Sequence, residues 1–471
     1  MQKNQHTLMA KLFGTDGVRG AAGRFPLDAH SIRIAGRALA EHLAEKSGNH
    51  TTRLVIGRDT RESGEWIEAA LIAGAREAGA VCESAGVITT PGVAYLARTL
   101  PADAGVVVSA SHNPYQDNGI KIFAPSGRKI DDETERRIEA HIHAGTSAPE
   151  AQEAKDFSTN FSKQHDAGSE DNQAAAFRES YLDYLAQEVG DGLSLSNLKL
   201  VLDCANGAAY RLAPDLFERL GANVTAINNT PDGRNINLDC GSLHIEGLRR
   251  KVVESGADLG VAFDGDADRA LFVDARGEFV DGDATLWAMS GYLQKRGELA
   301  GNAVVATVMS NIGLELALRS RGIELLRADV GDKYVLEELL KTNTDLGGEQ
   351  SGHLIFPRRS LAGDGMMTTL FLLRAMQESG ARLDELTEGF ERYPQVLVNV
   401  RVREKRPFAE VPEIMHAAQI VEAELKGRGR LLLRYSGTEN LARVMIEGEH
   451  QEEIERQAKT LAAIIKTALG N

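Results

Sequence analysis

The chain has 471 residues, more than one hydrophobic core normally organises, so its length predicts about three or four domains. It contains 68 acidic and 53 basic side chains, and its formal net charge is -15 at pH 7. This balance excludes a broad surface for nucleic acid or for an anionic membrane, because such surfaces need clustered cations. An anionic substrate would therefore need a local basic site.

The three cysteines, Cys82, Cys204 and Cys240, are widely spaced and include no Cys-x-x-Cys pair. This pattern predicts neither a disulfide framework nor a zinc site, and it is typical of a reducing compartment. The sequence shows no signal-peptide pattern and no stretch of about 18 uncharged apolar residues. We therefore expect a soluble cytoplasmic protein, a monomer or homodimer, that binds neither nucleic acid nor membrane.

Short apolar, β-branched runs recur along the chain, and each run ends at a turn of Gly, Asp or Asn. In chain order these runs are LVIGRDTR from Leu54, GVVVSASHNP from Gly105, LVLDCANG from Leu200, LGVAFDGDADR from Leu259 and NAVVATVMSN from Asn302. Amphipathic stretches such as 63–80 and 332–341 lie between them. The alternation predicts mixed, largely parallel sheets whose strands open into polar loops.

A polar segment at 145–176 is rich in Ser, Ala and acidic residues, which is typical of a linker or an exposed excursion. Beyond residue 393 the runs LVNVRV and LLLRYSG indicate a smaller α+β unit. We predict an α/β protein with three similar mixed α/β domains and a smaller C-terminal α+β domain. The predicted limits are 1–165, 166–276, 277–392 and 393–471.

The loop SASHNPYQDNGIKIF from Ser109 follows the apolar strand GVVV and carries Ser111, His112 and Lys121. A hydroxyl displayed at the end of a strand is a candidate nucleophile. The alternative is an ordinary polar turn, because Ser, Asn, Pro and Gly are favoured in turns. This loop alone does not decide between the two.

The run DGDADR places Asp264, Asp266 and Asp268 at alternate positions, with Gly265 relieving crowding. Three carboxylates at this spacing can converge on one small divalent cation. An EF-hand would need Gly at the sixth position and Glu at the twelfth, where this chain has Arg269 and Ala275. A solvated acidic turn remains the alternative, although three crowded like charges are costly. The pattern favours a metal site.

Two further loops carry polar groups beside glycine. GGEQSGH from Gly347 offers Glu349, Ser351 and His353, which suit sugar hydroxyls. RYSGTEN from Arg434 offers charged and hydroxyl side chains and backbone amides that could hold a phosphate. Either loop, taken singly, could equally be a plain turn.

Seven motifs follow one another in the order seen in the α-D-phosphohexomutases, and the sequence resembles that family over nearly its whole length. They are FGTDGVRG from Phe13, GRDTR from Gly57, SASHNP from Ser109, DGDADR from Asp264, VGDKYV from Val330, GGEQSGH from Gly347 and RYSGTEN from Arg434. The resemblance implies four domains around a central cleft, with the fourth binding phosphate.

The FGTDGVRG start, the SASHNP form and the Gln of GGEQSGH are most similar to one branch of that family. This branch interconverts glucosamine 6-phosphate and glucosamine 1-phosphate. The branches that act on mannose and glucose phosphates remain the alternative. Lys333, which stands where that branch commonly has Arg, and Asn440, which stands where the family usually has Pro, depart from the pattern.

By this resemblance Ser111 carries the phosphoryl group, and one Mg²⁺ per subunit is held by that phosphate and the aspartates of DGDADR. The implied metal ligands are Ser111, Asp264, Asp266 and Asp268. Arg19 and His112 would border the phosphoserine, and Lys121 would transfer protons. The implied substrate-binding residues are Arg269, Lys333, Glu349, Ser351, His353, Arg434, Ser436, Gly437 and Thr438.

The implied reaction is transfer of the phosphoryl group from Ser111 to a hexosamine phosphate, reorientation of the bisphosphorylated sugar, and return of the other phosphate to Ser111. A metal-dependent sugar phosphatase is the first alternative, although hydrolysis does not require a separate distal phosphate loop. A non-enzymatic sugar-phosphate-binding protein is the second, and it would be free to lose Ser111 or an aspartate.

Overall fold

The computed structural model describes residues 11–48, 51–146, 167–436 and 439–470. These residues form two compact units. The first contains the described residues up to Val308 together with Leu326–Glu388, and the second contains Met309–Leu325 and the chain from Gly389 onward. Two of the predicted phosphate-binding residues, Gly437 and Thr438, lie outside the described residues.

The first sheet of the first unit has six strands. They are β1 (Phe13–Gly14), β2 (Gly17–Ala21), β3 (Arg53–Arg58), β4 (Val81–Val87), β5 (Ala104–Val108) and β6 (Asp117–Phe123), in the order β1-β2-β6-β5-β3-β4. Strands β4, β3 and β5 run parallel, whereas β6, β2 and β1 add in antiparallel fashion. Every residue of β5 is buried, as expected for an apolar strand covered on both faces.

Four helices accompany this sheet: α1 (Ala29–Ser47), α2 (Gly64–Glu77), α3 (Thr90–Thr99) and α4 (Asp132–Thr146). Asp28 caps the N-terminus of helix α1: its side chain accepts from the Ser31 amide, and this satisfies a donor that the first turn leaves free. Helices α1 and α2 approach so closely that a Cβ on Gly74 would lie 1.8 Å from the Arg33 carbonyl oxygen. The backbone contact between them therefore requires glycine.

The second sheet follows a long helix, α5 (Ala167–Asp183), and a π-helical turn over Tyr184–Val189. The strands are β7 (Lys199–Asp203), β8 (Asn223–Ile227), β9 (Leu259–Phe263), β10 (Ala270–Asp274) and β11 (Phe279–Val280), and the helices are α6 (Ala209–Arg219) and α7 (Glu246–Ser255). The strand order is β11-β10-β9-β7-β8. Strands β9, β7 and β8 are parallel, and β10 and β11 are antiparallel additions.

The third sheet has the order β13-β12-β14-β15. Its strands are β12 (Ala303–Thr307), β13 (Glu324–Ala328), β14 (Gly347–Gly348) and β15 (Leu354–Ile355). The helices of this part of the chain are α8 (Gly282–Lys295), α9 (Ile312–Ser320), α10 (Asp332–Thr342), α11 (Gly365–Ser379) and α12 (Leu383–Leu386). Strand β12 pairs with β14 in parallel and β14 with β15 in antiparallel fashion.

The second unit holds α9 and an antiparallel sheet of order β16-β18-β17. Its remaining elements are β16 (Gln395–Arg401), α13 (Pro412–Leu425), β17 (Arg430–Tyr435), β18 (Leu441–Glu447) and α14 (Gln451–Leu469). The two helices α13 and α14 cover the sheet, and the core between them includes Ile414, Val444 and Ile465, each fully buried. This is the small α+β unit that the sequence predicts.

The mixed α/β prediction is confirmed, but the sheets are not largely parallel. Antiparallel pairs outnumber parallel ones in the first sheet and equal them in the second. The reason lies in the loops, because β5 ends at Val108 and β6 begins at Asp117, while β9 ends at Phe263 and β10 begins at Ala270. Links this short cannot form the helical crossover that parallel strands need.

All three cysteines are buried, and none of them forms a disulfide. Within the described part of the chain, no helix combines the length and apolar character needed to cross a membrane. The limits predicted for the four domains stay a prediction.

Candidate active site

Ser111 lies in the loop between β5 and β6, where the sequence places the candidate nucleophile. Its backbone has φ 53°, in the left-handed region that residues other than glycine seldom adopt, and its side chain is buried. The Ser111 hydroxyl donates to Oδ2 of Asp264 at 2.6 Å and lies 3.3 Å from Nδ1 of His112. The fold therefore joins the serine loop to the aspartate loop.

The three aspartates of DGDADR follow the buried strand β9 and turn back through Ala267, whose φ is 56°. One oxygen from each of Asp264, Asp266 and Asp268 lies within 4.8 Å of the others, and all three residues are buried. Among the described residues, Oδ1 of Asp266 and Oδ1 of Asp268 are buried without a hydrogen-bond partner. Buried carboxylate oxygens normally have partners, so this set fits a small, hard divalent cation.

The charges within the triad are strongly unequal. Burial, followed by repulsion from Asp268 and Asp266, holds the pKa of Asp264 well above its usual range. Burial would also raise the pKa of Asp268, but Lys121 and His353 more than offset it and hold that pKa well below its usual range. Three carboxylates at one point repel each other, and a bound cation would relieve this repulsion.

Lys121 is a residue of β6, and its fully buried side chain lies beside the aspartates. Its ammonium nitrogen is 2.8 Å from Asp266, 3.1 Å from Asp16 and 3.3 Å from Asp268. Burial alone would lower the pKa of Lys121, but these carboxylates more than offset burial and raise it well above the usual value. Lys121 is therefore protonated at neutral pH.

A cavity of about 380 Å³ opens beside the aspartates and contains several predicted site residues. Its lining includes Arg19, His112, Asp268, Arg269, Glu349 and His353. Arg269 is 3.8 Å from Asp268 and 4.0 Å from Asp264, and Arg19 pairs with Asp16. Four carboxylates also line this cavity, so its lining is mixed in charge, and the two guanidinium groups are its candidate donors to an anion.

The two histidines of the cavity differ in charge. Burial lowers the pKa of His112 to about 4, and the nearby Arg269 and Arg19 reinforce the effect, so His112 is neutral. Burial would also lower the pKa of His353, but Asp268 at 3.7 Å and Asp332 at 3.9 Å raise it to about 9. His353 is therefore an imidazolium at neutral pH.

Glu349 and Ser351 lie in the tight loop between β14 and β15. Glu349 accepts from the Gly331 amide at 3.1 Å through Oε1, and the Ser351 hydroxyl donates to its Oε2 at 3.4 Å. Both of these donors are neutral, unlike the cations that pair with Asp16 and Asp268. The carboxylate keeps hydrogen-bonding capacity for another polar group.

Lys333 is not part of the cavity that contains Arg19. It pairs with Asp132 and lines a neighbouring cavity of about 570 Å³, which also touches Asp332, His353 and Asp268. The two cavities share Asp268, Asp332 and His353. The structure thus brings Lys333 next to the predicted site rather than into it.

In the second unit, Arg434 is the last residue but one of β17 and is half-buried. It lies beside Arg443, and neither forms a salt bridge with a carboxylate within the described residues. Arg443 is 3.4 Å from the Ser436 hydroxyl, and Lys405 donates to the Ser436 carbonyl at 2.6 Å. Burial, then repulsion from Arg443, lowers the pKa of Arg434. Two neighbouring arginines that form no salt bridge within the described residues, beside a hydroxyl, suit an anion.

Four family models match the chain in succession. They are the Phosphoglucomutase/phosphomannomutase alpha/beta/alpha domain I at residues 10–149, domain II at 179–277, domain III at 281–393 and the C-terminal domain at 397–464. They confirm the predicted fold class of three α/β domains and a smaller C-terminal domain.

Curated relatives narrow the family further. A phosphoglucosamine mutase of Solibacter usitatus is 48% identical over 98% of this chain and 100% of the relative. A phosphoglucosamine mutase of Deinococcus deserti is 49% identical over 97% of this chain and 98% of the relative. The chain belongs to the phosphoglucosamine mutase family. The predicted family and its branch are confirmed.

Solved structures share the fold at lower identity. A phosphoglucomutase/phosphomannomutase family protein of Burkholderia thailandensis has a TM-score of 0.75 at 23% identity and covers 97% of each chain. N-acetylphosphoglucosamine mutase of Aspergillus fumigatus, solved in complex with GlcNAc-6P and magnesium, has a TM-score of 0.64 at 19% identity, covering 97% of this chain and 96% of that one. At these identities the likeness establishes the fold.

Several charged residues outside the predicted set also contact the candidate phosphohexomutase site. Asp16 pairs with Lys121, Arg19 and Lys129, and Asp332 pairs with Lys129. Both aspartates stand inside quoted motifs, FGTDGVRG and VGDKYV, which was a usable signal. Lys129 stands in no such motif, and only the tertiary structure shows its contact.

Proposed function

We propose that this protein interconverts glucosamine 6-phosphate and glucosamine 1-phosphate through a phosphorylated Ser111. One observation carries the proposal: the buried Ser111 hydroxyl donates to Asp264 at 2.6 Å, within the aspartate triad of a phosphoglucosamine mutase family member. A serine placed among metal-binding carboxylates has little use as an ordinary turn residue. It suits a group that accepts and returns phosphate.

Mg²⁺ would be held by Asp264, Asp266, Asp268 and a phosphate oxygen on Ser111. The two unpartnered oxygens on Asp266 and Asp268 support this assignment. The bound cation would offset charge on the transferring phosphoryl group. Arg19 and Arg269, from the cavity beside the triad, would share that task by hydrogen bonding to phosphate oxygens.

The chemistry exchanges one phosphorus–oxygen bond for another. The sugar hydroxyl loses its proton as its oxygen bonds to phosphorus, and the Ser111 oxygen gains a proton when its own bond to phosphorus breaks. We assign this proton movement to Lys121, a buried ammonium among carboxylates. It gives a proton to the departing Ser111 oxygen, and the neutral amine so formed takes the proton of the sugar hydroxyl, so that Lys121 ends as it began. His112, neutral and 3.3 Å from the Ser111 hydroxyl, orients that oxygen. The second half of the reaction runs in reverse on the other sugar oxygen.

The sugar would be held by the loop between β14 and β15. Glu349 and Ser351 can accept from and donate to hydroxyls, and the charged His353 can hold a phosphate or hydroxyl oxygen. Lys333 would contribute charge from the neighbouring cavity. The non-reacting phosphate would bind the segment that contains Arg434, Ser436, Gly437 and Thr438, which must accept either phosphate in turn.

We also propose the compartment, the partner and the oligomeric state. Three buried, free cysteines support a reducing cytoplasm as the place of work. The partner is a small-molecule hexosamine phosphate, and the protein acts as a monomer or homodimer. Size-exclusion chromatography with light scattering distinguishes the two states.

A coupled assay tests the proposed function. Purified protein with Mg²⁺ receives glucosamine 6-phosphate, mannose 6-phosphate or glucose 6-phosphate at equal concentration, and formation of each 1-phosphate is followed together with release of inorganic phosphate. We expect the glucosamine substrate to give the highest kcat/KM and phosphate release to be negligible. Preference for mannose or glucose phosphate would assign another branch of the family, and stoichiometric phosphate release would make the protein a phosphatase.

A further inference from the structure

The amide and the carbonyl of Ser111 both have side-chain hydrogen-bond partners. Its amide donates to the Ser109 hydroxyl at 2.9 Å. Its carbonyl oxygen accepts two hydrogen bonds, from Nη2 of Arg61 at 2.9 Å and from Nδ2 of Asn237 at 2.9 Å. A residue other than glycine in the left-handed region is strained, and it persists only where the surroundings fix it. These contacts fix Ser111 at φ 53°.

The same two side chains hold a second carbonyl of the loop. The Asn113 oxygen accepts from Nη2 of Arg61 at 2.8 Å and from Nδ2 of Asn237 at 3.1 Å. Arg61 also donates through Nη1 to the Pro114 carbonyl. A guanidinium group and a carboxamide therefore each bridge Ser111 and Asn113, and together they define the shape of the turn that carries the hydroxyl.

Arg61 is itself fixed, although no carboxylate of the active site touches it. Its side chain is completely buried, and Nε donates to Oδ2 of Asp59 at 2.9 Å. The same Asp59 oxygen accepts from the Ser109 hydroxyl at 2.6 Å, and that hydroxyl in turn receives the Ser111 amide. Asp59 thus supports both backbone groups of Ser111. It supports the Ser111 carbonyl by way of Arg61 and the Ser111 amide by way of Ser109.

Asn237 reaches the serine loop from the chain between β8 and β9, beside the metal loop. A Cβ on Gly265, the second residue of DGDADR, would lie 2.5 Å from the Ser111 carbonyl oxygen and 2.9 Å from Nδ2 of Asn237. Glycine at this position is what allows the metal loop, the serine loop and the Asn237 amide to pack together. The contact joins the loop of the metal-binding aspartates to the loop of the candidate nucleophile.

We propose that Arg61 and Asn237 are positioning residues of the phosphoryl transfer. They hold the carbonyls of Ser111 and Asn113, and this fixes the Ser111 oxygen at its place beside Asp264. The proposal rests on the proposed function and extends it to two residues that contact neither the triad nor the substrate cavity. Without these donors the strained peptide would relax, and the serine oxygen would move away from the metal-binding carboxylates.

Such a displacement acts on chemistry rather than on capture of the sugar. His112 belongs to the serine loop and Arg19 donates to the Asn113 side chain at 3.4 Å, so these two residues would move with it. Glu349 and Ser351, the predicted sugar contacts, bond each other and the Gly331 amide and keep their places. We therefore expect kcat to fall while KM stays near its parent value. A misplacement of about 1 Å is enough for a loss of about 100-fold in rate.

Asn237→Asp is the sharpest variant, because Asp has nearly the same size and also tolerates a left-handed φ, but its carboxylate cannot donate to carbonyl oxygens. We expect kcat to fall about 100-fold with KM changed by less than about threefold. Asn235→Asp is the matched control on the same loop, since Asn235 bonds Thr230 and not the serine loop. It should keep parent activity.

Arg61→Lys tests the other donor without removing the positive charge that Asp59 needs. Lysine cannot form the planar fork that reaches three carbonyls, so kcat should again fall while KM holds. For each variant, intact mass spectrometry also follows how fast Ser111 takes phosphate from a hexose 1,6-bisphosphate, a half-reaction that needs no overall turnover. Both variants should load phosphate about as slowly as they turn over.

The outcomes separate the two proposals. If the parent protein neither carries phosphate on Ser111 nor turns over any hexose phosphate, the proposed function fails. If the parent is active and both variants match it in kcat and in phosphate loading, the positioning role of Arg61 and Asn237 is wrong. A rise in KM at constant kcat, or equal losses in Asn235→Asp and Asn237→Asp, would also overturn it.

Discussion

The Ser111 loop follows β5 and Arg434 lies near the end of β17, yet the two regions differ in how many of their polar groups already have protein partners. Both backbone groups of Ser111 and its hydroxyl have protein partners, and the side chain is buried. Arg434 is half-buried, and among the described residues its guanidinium donates only to the Met309 sulfur, at 3.8 Å. The first region is organised before substrate arrives, whereas the second presents unpaired charge.

This difference is what phosphoryl transfer with two interchangeable phosphates requires. The reacting oxygen has to be held within a fraction of an ångström, because positioning supplies much of the rate. The distal phosphate has to be captured in either orientation, and arginine donors that carboxylates have not neutralised can do this. Substitutions in the first region should therefore lower kcat, and those in the second should raise KM.

The largest expected effect is that of Ser111→Ala. No other described hydroxyl donates to Asp264, so turnover should fall about 10⁴-fold or more. The coupled assay measures it, and intact mass should find one phosphate on the active parent and none on the variant. The control is Ser255→Ala, which removes an exposed hydroxyl bonded within α7. Substantial activity without phosphate on Ser111 would contradict the proposed mechanism.

Asp266→Asn should come next. The substitution keeps the shape of the side chain but removes an anionic ligand, so affinity for Mg²⁺ and kcat should fall together by about 100-fold. A Mg²⁺ titration of activity measures both. Asp239→Asn is the matched control, because Asp239 is exposed and also has a positive φ that Asn tolerates. An unchanged titration in Asp266→Asn would exclude the triad as the metal site.

Arg434→Ala should weaken binding of the substrate. We expect kcat/KM to fall by about 10- to 1000-fold, mainly through KM, because a charge-assisted contact to the non-reacting phosphate is lost. Phosphate on Ser111 should survive. Arg428→Ala, which removes an exposed arginine paired with Glu449 in the same unit, should change little. A loss confined to kcat would reverse the contrast between the two regions.

The smallest effect concerns stability. Mg²⁺ at about a hundredfold its Kd should stabilise the folded protein by about 2.7 kcal/mol, because the cation relieves repulsion among the buried aspartates. Thermal unfolding with and without Mg²⁺ measures the shift. At the same Mg²⁺ concentration it should fall to about 0.4 kcal/mol in Asp266→Asn and stay unchanged in Arg434→Ala. An equal shift in both variants would place the cation elsewhere.

The loops could be predicted as functional because their residue types are costly anywhere else. One buried strand is followed by three alternating aspartates, and another by a Ser-His-Asn-Pro turn. Both patterns indicate a functional site rather than a structural turn. The sequence also contained evidence for antiparallel pairing, which the prediction of largely parallel sheets did not take into account. A loop of eight residues between β5 and β6, and one of six between β9 and β10, are too short for a parallel crossover.

What the sequence by itself determined was the kind of protein: a chain of mixed α/β domains with a serine loop, an aspartate loop and two glycine-rich loops, each recognisable from local spacing. Only the tertiary structure decided which side chains hold those loops in place. Asp59, Arg61 and Asn237 contact Ser111 or its neighbours across 50 to 126 residues of sequence. Such contacts leave no local pattern, because burial and hydrogen bonding depend on how strands and loops meet in space.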